Sequence, residues 1–316
     1  MITSLYLTRF RKLKTSRLNG EEAPYKPALL LAILEGIEEG LILDNRIVIT
    51  PELLAAFQSN CRDLSVSGRF KANNFALPFY HLKTEGFWHL HAQPGLELVL
   101  TSSGSPRSLG HLRQTVAYAA LDTDLWQLMQ DAATRHQFRE VLLDRYFPQT
   151  RFRYRPTAGP DILRDLGRQM LEEPAALYQT RLNLEDEVET VVRSAVFKRE
   201  VLQAYEYTCA ISGLQLLSTG TSAVAPLLDA CHIMPWAVTH DDTIGNGLAL
   251  TPTLHRAFDR HLLHIDADYR VRIADSIVEL GGAAHGLTQF EGQQLRLPAR
   301  PEWWPRLEGF RERRRA

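Results

Sequence analysis

The sequence predicts an α+β protein with a mixed α/β domain in the N-terminal half, a helical linker and a second domain at the C-terminal end. Its 316 residues are enough for two domains. Apolar residues recur at helical spacing in some segments and form short strand-like runs in others. Residues 148–160 contain prolines and arginines without periodicity, which indicates a boundary. We therefore expect domains at residues 1–148 and 193–316, with a linker that contains a connecting helix at 149–192.

Two helices of the N-terminal half carry clear start signals. Pro27 can occupy the first turn of a helix that runs to about Glu39, with apolar residues on one face. Thr50 is suited to cap a second helix, which has a proline at its first position. Further helices are predicted at residues 109–120, 125–133 and 138–146. Strands are predicted at Phe75–Leu82 and Phe87–Leu90, with a glycine-containing turn between them.

The C-terminal elements are predicted from shorter signals. Residues 161–178 and 193–206 have helical patterns. Apolar residues before His232 indicate a strand that runs into a loop, and the glycines on either side of Asn246 indicate a tight turn. Thr251 is placed to cap a helix that contains His255. The basic tail at residues 308–315 is expected to fray.

Composition narrows the class of protein. Hydrophobic residues make up 45% and charged residues 23% of the chain, as in ordinary globular domains. The formal net charge is −1, so any surface for nucleic acid must come from local clusters of basic residues. The three cysteines are widely spaced, which fits a reducing cytoplasm and gives no disulfide framework. We expect a cytoplasmic protein with no secretory signal and no membrane span.

Five residues of the C-terminal domain have the types that phosphodiester hydrolysis needs. The reaction requires an activated water, stabilisation of phosphate charge and help for the leaving oxygen. His232 is the candidate general base, and the amide oxygen of Asn246 is expected to orient its imidazole. His255, held on a helix, is a candidate metal ligand. A divalent cation also needs oxygen ligands, for which Asp229 ranks ahead of Asp259. Asp259 can instead brace His255, four residues before it.

Four motifs follow one another in this domain: Cys209-Ala-Ile-Ser-Gly213, Asp229-Ala-Cys-His232-Ile-Met-Pro-Trp236, Asn246-Gly-Leu-Ala-Leu250 and His255-Arg-Ala-Phe-Asp-Arg260. Together, from about Val196 to Arg272, they resemble the HNH module of McrA-like restriction endonucleases. The resemblance implies a ββα-metal fold in which His232 is the base, Asn246 the orienting residue and His255 a ligand of one divalent ion such as Mg²⁺, Mn²⁺ or Ni²⁺. Many relatives bind a structural zinc through two Cys-x-x-Cys pairs. This chain lacks those pairs, so we expect no structural zinc.

Basic residues cluster in two places in the N-terminal half. Five lie between Arg9 and Arg17, and Arg69 and Lys71 form a second group. Such clusters are suited to neutralise phosphates, and we take Arg17, Arg69 and Lys71 as candidates for DNA binding. A solvated amphipathic helix explains the first cluster about equally well.

Three segments of the N-terminal half carry a second resemblance: Ala23-Pro-Tyr-Lys-Pro27, Leu77-Pro-Phe-Tyr-His-Leu82 and Gly86-Phe-Trp88. They resemble the sulfur-binding domain that precedes HNH modules in phosphorothioate-dependent enzymes. The resemblance implies an apolar cavity for the sulfur that replaces a phosphate oxygen, with Pro78 in its wall and Leu77 and Phe79 nearby. It also implies that Tyr25 and Lys26 lie close to the DNA backbone. The chain departs from the family pattern at Tyr25, Leu77 and His81.

The sequence thus predicts a modification-dependent, type IV-like DNA endonuclease, of the kind used in bacterial defence against phage. Its partner is double-stranded DNA that carries phosphorothioates, and one HNH site per chain would need a homodimer or repeated nicking for a double-strand break. One alternative keeps the nuclease but makes modified cytosine the target, with Phe75, Phe79, Tyr80 and Trp88 stacking on an extruded base. A second alternative, from another class, is a DNA-binding regulator that does not cut.

Overall fold

A computed structural model describes residues 2–67, 69–102, 104–156, 158–180, 186–215, 227–280 and 286–314. The chain divides into two compact units. Unit 1 contains Met1–Arg164 and Asn183–Val192, and unit 2 contains Asp165–Leu182 and Arg193–Ala316. Both mix helices with short antiparallel strand pairs, which confirms the α+β class. The domain borders at 148 and 192 stay predictions. No helix in the described ranges is both long and apolar enough to cross a membrane.

The elements of unit 1 are mainly helical. Its helices are α1 (Ile2–Arg11), α2 (Tyr25–Glu38), α3 (Pro51–Leu64), α4 (Ala76–His81), α5 (Leu109–Thr115), α6 (Thr123–Gln130) and α7 (Ala132–Tyr146). Its strands are β1 (Arg17–Leu18), β2 (Glu21–Glu22), β3 (Trp88–Ala92) and β4 (Val116–Leu121). Short 3-10 helices lie at Leu82–Glu85 and Arg151–Arg153. Helices α8 (Ala158–Glu172) and α10 (Glu187–Ala204) each contain a position where the division between units falls.

Helix α2 forms the centre of the core of unit 1. The sequence predicts one buried face, but every residue from Leu29 to Leu34 is buried, because α3, α4 and α7 all pack against the helix. Helix α3 begins as predicted, since the Thr50 hydroxyl accepts a hydrogen bond of 3.2 Å from the Leu53 amide and Pro51 occupies the first position.

Two predictions of secondary structure in unit 1 are wrong. Phe75–Leu82 is α4 and the start of a 3-10 helix, not a strand. Phe75, Phe79 and Leu82 stand at helical spacing and all three are fully buried, so packing of one face fixes the helix. Residues 109–120 are helical only as far as Thr115, where β4 begins. Tertiary pairing with β3, from Trp88 opposite Leu121 onward, makes this segment a strand.

Unit 2 is built around a β-hairpin followed directly by a helix. Its strands are β5 (Asp229–His232), β6 (Gly247–Leu250), β7 (Leu263–Ile265) and β8 (Val271–Ile273). Its helices besides α8 and α10 are α9 (Ala175–Gln179), α11 (Trp236–Thr239), α12 (Pro252–Asp259) and α13 (Leu307–Arg313), with 3-10 helices at Ile244–Asn246, Thr288–Phe290 and Pro301–Trp303. Strands β5 and β6 pair antiparallel, and α12 packs on both, which gives the predicted order of two strands and a helix.

Two further expectations for unit 2 change. The connecting helix predicted at 161–178 is two helices, α8 and α9, because Pro174 interrupts the pattern. The tail is helical and not frayed up to Arg313, because α13 covers it and buries Phe310 and Arg313. Thr251 stands at the N-cap of α12 as predicted, although its side chain makes no capping hydrogen bond.

Glu35 is a carboxylic acid buried beside α3. The Asn60 amide donates to its Oε1 at 2.8 Å. Burial raises the pKa of Glu35 to about 8, against the opposing effects of Asn60, Tyr154 and Arg139. The folded state therefore holds a proton that the unfolded chain releases near pH 4.5.

We expect the free energy of unfolding to fall as pH rises from the unfolded pKa through the folded pKa of Glu35, by on the order of 1 kcal/mol per pH unit. Glu35→Gln keeps the acceptor for Asn60 and removes the titration. Urea denaturation at pH 5 and pH 9 should show that the variant gains stability over wild type only at the higher pH. An equal difference at both pH values would contradict a buried, protonated Glu35.

Candidate active site and DNA-reading pocket

The hairpin of unit 2 sorts the candidate catalytic residues onto two faces. Its register runs without a bulge from Asp229 opposite Leu250 to His232 opposite Gly247. Because side chains alternate along a strand, Asp229 and Cys231 share one face and His232 points to the other. Helix α12 covers the Asp229 face and brings His255 to it.

His255 lies between the two predicted oxygen ligands. Its Nδ1 is 3.3 Å from Asp229 Oδ2, and its Nε2 is 3.2 Å from Asp259 Oδ2. One donor atom each of Cys231, His255 and Asp259 also lie within 4.8 Å of one another. The structure therefore brings together all three residues that the sequence singles out for the metal, and adds a thiol.

This cluster has the donor chemistry for a divalent cation. An imidazole and carboxylates suit Mn²⁺ or Ni²⁺, and the carboxylates suit Mg²⁺. Burial and the negative charge of Asp259 raise the pKa of the Cys231 thiol, so without a cation it is a neutral, weak ligand. The cation could take His255 Nδ1 with Asp229, or Nε2 with Asp259. The carboxylate left over would brace the other ring nitrogen.

Arg313 distinguishes the two aspartates. Its Nη2 donates to Asp259 Oδ1 at 2.9 Å, and its Nη1 donates to the Ile233 carbonyl at 2.7 Å. A buried cation beside Asp259 offsets the charge that would attract a metal ion, which favours Asp229 as the ligand. The sequence gives no signal for this contact, because Arg313 is one of several arginines in a tail expected to fray.

His232 has a partner that the sequence prediction missed. Its ring stacks on Phe197 with centroids 4.0 Å apart and planes 6° apart, and its Nε2 is 2.9 Å from Asp242 Oδ1. The other oxygen of Asp242 accepts hydrogen bonds from Trp236 Nε1 at 3.1 Å and from the Tyr178 hydroxyl at 3.5 Å. A buried carboxylate thus holds one nitrogen of the candidate base. The only sequence signal is a pair of aspartates in a segment otherwise typical of a solvated loop.

Asn246 does not make the predicted bond to the imidazole. Its amide oxygen accepts the Met234 N–H at 2.8 Å, while its amide nitrogen donates to the carbonyls of Met234 at 3.1 Å and Asp241 at 2.8 Å. The side chain is buried and closes the loop between residues 234 and 241. Asn246 therefore fixes the backbone next to Asp242, the partner of His232, and does not contact the imidazole through its amide oxygen.

A pocket of about 470 Å³ lies in unit 1 where the sequence places the modification-reading residues. Its wall contains Tyr25 and Lys26 from α2 and Leu77 and Pro78 from α4. The remaining lining residues are Lys14, Thr15, Ser16, Ala23, Asn74, His81 and Thr84. Apolar side chains, hydroxyl and amide groups and two lysines thus meet at one cavity. Two segments 50 residues apart in the chain converge because α2 packs against α4.

The other candidates for reading DNA have different positions. Phe79 is not in the pocket wall, because it is fully buried between Phe75 and Trp88. Lys26 reaches the wall but is mostly buried and paired with a carboxylate. Arg17, Arg69 and Lys71 are exposed, and Arg17 Nη2 is 2.8 Å from Glu22 Oε1. No observation tests their binding to DNA, which stays a prediction.

The stacking platform proposed for an extruded base is largely absent from the surface. Phe75, Phe79 and Trp88 are at most 1% exposed, and Tyr80 is 5% exposed. These rings pack on one another in the core, and the Trp88 Nε1–H donates to the Phe79 carbonyl at 2.8 Å. The alternative of a modified-cytosine reader therefore loses the aromatic residues on which it depended.

Residues 209–266 match the family model "HNH_2: HNH endonuclease". These residues are an HNH endonuclease domain. The HNH domain contains β5, β6 and α12 and with them Asp229, His232, Asn246, His255 and Asp259. The predicted kinship with HNH nucleases and the predicted enzyme class are thereby confirmed. No curated protein matches the chain.

Several solved structures are similar to the chain. "Modification dependent TagI restriction endonuclease" matches at 26% identity and TM-score 0.30 over 39% of this chain, which spans 38% of that one. "Sulfur binding domain of ScoMcrA complexed with phosphorothioated DNA" matches at 20% identity and TM-score 0.37, over 45% of this chain and 87% of that one. "Structure of the Type IV phosphorothioation-dependent restriction endonuclease ScoMcrA" matches at 13% identity and TM-score 0.32, over 80% and 94%. All three TM-scores are below 0.5, so the roles of individual residues are inferred from the geometry of this chain alone.

We expect Asp229→Asn to weaken Mn²⁺ binding by roughly 10-fold or more, since it removes a direct ligand, and Asp259→Asn to weaken it less. His255→Ala should weaken it at least as much as Asp229→Asn. Isothermal titration with Mn²⁺ in the absence of DNA gives these affinities without relying on cleavage. A larger loss in Asp259→Asn than in Asp229→Asn would reverse the assignment.

Proposed function

We propose that this protein is a modification-dependent endonuclease that recognises phosphorothioated double-stranded DNA through the pocket of unit 1 and cuts it with the HNH domain. The pocket carries the proposal, because Pro78, Leu77, Tyr25 and Lys26 line one cavity. The ligand also appears in the description of the ScoMcrA sulfur-binding domain. Bacterial defence is the role that such an activity would serve.

The pocket wall suits sulfur better than oxygen. Sulfur is larger, more polarizable and a weaker hydrogen-bond acceptor than oxygen, so it loses less hydration on entering an apolar site. Pro78 is buried and offers no backbone N–H, while Leu77 and Ala23 add hydrocarbon. An ordinary phosphate oxygen placed against these apolar side chains would forfeit hydrogen bonds to water that they do not replace.

In the HNH domain, His232 would take a proton from the attacking water at Nδ1. Asp242 accepts at Nε2, which favours the tautomer with the proton on Nε2 and a lone pair on Nδ1. A divalent ion held by His255 and an aspartate would supply charge stabilisation at the phosphate. The water oxygen bonds to phosphorus, the bond to the leaving sugar oxygen breaks, and that oxygen takes a proton from solvent.

The two faces of the hairpin constrain where the phosphate sits. His232 points away from the face that carries Asp229 and Cys231, but it is the last residue of β5. A phosphate that contacts both His232 and a metal ion held by His255 must therefore lie at the end of β5. One such site handles one strand, so a double-strand break needs a dimer or successive nicks.

His232→Ala should lower the cleavage rate by roughly 10²- to 10⁴-fold, the usual contribution of a general base. DNA affinity should stay near the wild-type value, because the base acts on water. Rates and affinities on one labelled duplex test both parts, and His264→Ala serves as control, being a histidine of the same domain outside both clusters. Retained cleavage would place the base elsewhere. Lost binding would make His232 structural.

Asp242→Asn should lower cleavage by roughly 10- to 100-fold, as expected for a residue that acts through another. The amide keeps the shape but no longer favours one imidazole tautomer. Nitrogen-15 NMR of the histidine side chains should show the Nε2-protonated form of His232 in wild type and its loss in the variant. An unchanged tautomer with reduced activity would assign Asp242 to loop stability alone.

Affinity for a phosphorothioate duplex should exceed that for its unmodified twin by at least about tenfold, which is about 1.4 kcal/mol at 25 °C. Both duplexes are titrated at one fixed salt concentration, because phosphate contacts make binding salt-dependent. A third duplex with methylated cytosine tests the alternative target. Equal affinities for the first two duplexes would end the phosphorothioate proposal and leave the HNH domain unaffected.

A further inference from the structure

A buried ion pair forms one side of the pocket in unit 1. Lys26 Nζ pairs with Glu85 Oε1, and the two side chains are only 9% and 6% exposed. Lys26 lines the pocket, whereas Glu85 is not among the lining residues and lies behind it. The carboxylate comes from the end of the 3-10 helix Leu82–Glu85, and the ammonium comes from the first turn of α2. A cation that the sequence assigns to DNA is therefore already neutralised by the protein.

Both members of the pair are fixed by further bonds. Glu85 Oε1 accepts the Lys14 backbone N–H at 3.1 Å. Lys26 Nζ is also 3.3 Å from Thr84 Oγ1. At least two of the three hydrogens of the ammonium group thus have protein partners. Lys26 cannot turn freely to an incoming anion without breaking bonds that burial makes costly to lose.

The other basic groups at the pocket carry little buried charge. Burial, Lys26 and Lys83 lower the pKa of His81, so its imidazole is neutral at neutral pH, and its Nε2 is 3.0 Å from Ser105 Oγ. Lys14 is exposed and places its Nζ 3.3 Å from the Thr84 carbonyl. Besides the paired Lys26, the lining bases therefore place positive charge only where solvent reaches the wall.

The charge at this wall affects the free-energy cost of moving a phosphate oxygen from water into the pocket. An unpaired lysine would form a short, charge-assisted hydrogen bond to a phosphate oxygen and would repay the water that the oxygen loses. Sulfur, as the weaker acceptor, would gain less from the same lysine. Because Lys26 is paired with Glu85, neither oxygen nor sulfur gains this charge-assisted hydrogen bond. The loss is larger for oxygen, which is the stronger acceptor.

We propose that Glu85 is a specificity-determining residue, which cancels the charge of Lys26 at the pocket wall and so keeps ordinary phosphate out. The inference rests on the proposed function and explains how that function discriminates. The sequence predicts that Lys26 lies close to the DNA backbone. In this proposal, Lys26 contributes to specificity through its pairing with Glu85 and not through a contact with DNA.

The test compares four proteins, each titrated with a phosphorothioate duplex and its unmodified twin at the same salt concentration. Glu85→Gln frees the charge of Lys26 and should tighten binding of the unmodified duplex by roughly tenfold, about 1.4 kcal/mol. Its preference for the phosphorothioate should fall correspondingly. Lys26→Met with Glu85→Gln removes both charges and should restore the wild-type preference. Glu140→Gln, which removes a partly exposed carboxylate of α7 that pairs with Arg151, controls for the change in net charge.

The outcomes separate this inference from the proposed function. Equal wild-type affinities for the two duplexes would overturn the phosphorothioate target and, with it, the role of Glu85. A wild-type preference that persists unchanged in Glu85→Gln would overturn the role of Glu85 alone. If Glu85→Gln unfolds, as thermal denaturation would show, the double variant still decides, because it leaves no unpaired charge. Loss of phosphorothioate binding in a folded double variant would show that Lys26 binds the group directly, against the proposal.

Discussion

The unbroken register of the β5–β6 hairpin is the constraint on which the nuclease site depends. Because side chains alternate along β5, one face receives Asp229 and Cys231 and the other receives His232. Helix α12 can then add His255 and Asp259 to the first face only. A shift of one residue in the pairing would exchange the faces and separate both clusters from their partners. The candidate metal ligands and the candidate base are therefore positioned by the same backbone hydrogen bonds and lie on different faces of the hairpin.

The loop between β5 and β6 positions the residue that contacts His232. Asn246 bonds to the backbone at Met234 and at Asp241, so two points of the loop are fixed to one buried side chain. Asp242 follows directly and contacts His232, Trp236 and Tyr178. The sequence predicts a direct bond from Asn246 to His232. In the structure, Asn246 instead fixes the backbone at Asp241, and the next residue, Asp242, contacts His232. In the proposed mechanism the base is oriented by a carboxylate, which would also stabilise the imidazolium formed on proton transfer.

Local signals in the sequence predicted the elements that local chemistry determines. The Thr50 cap, the strand before His232 and the helix that carries His255 all come from short-range rules, and the structure contains each of them. The errors come from long-range packing. The segment at Phe75–Leu82 looks β-rich, yet burial of one helical face decides its conformation, and β4 exists only because β3 lies beside it. Neither partner is visible from the segment itself.

The same limit applies to the two sites, where the sequence identified the basic residue and missed the carboxylate that sets its chemistry. His232 pairs with Asp242, 10 positions away, and Lys26 with Glu85, 59 positions away. In each pair the acid is buried, so its charge acts on the partner with little screening by water. In the proposed mechanism, the charge of Asp242 would prepare the imidazole of His232 to accept a proton. At the pocket, the charge of Glu85 would cancel an ammonium group that otherwise attracts any phosphate. A basic residue in an enzyme that acts on nucleic acid is usually taken as a contact to the phosphate backbone, but both of these residues first contact a buried acid.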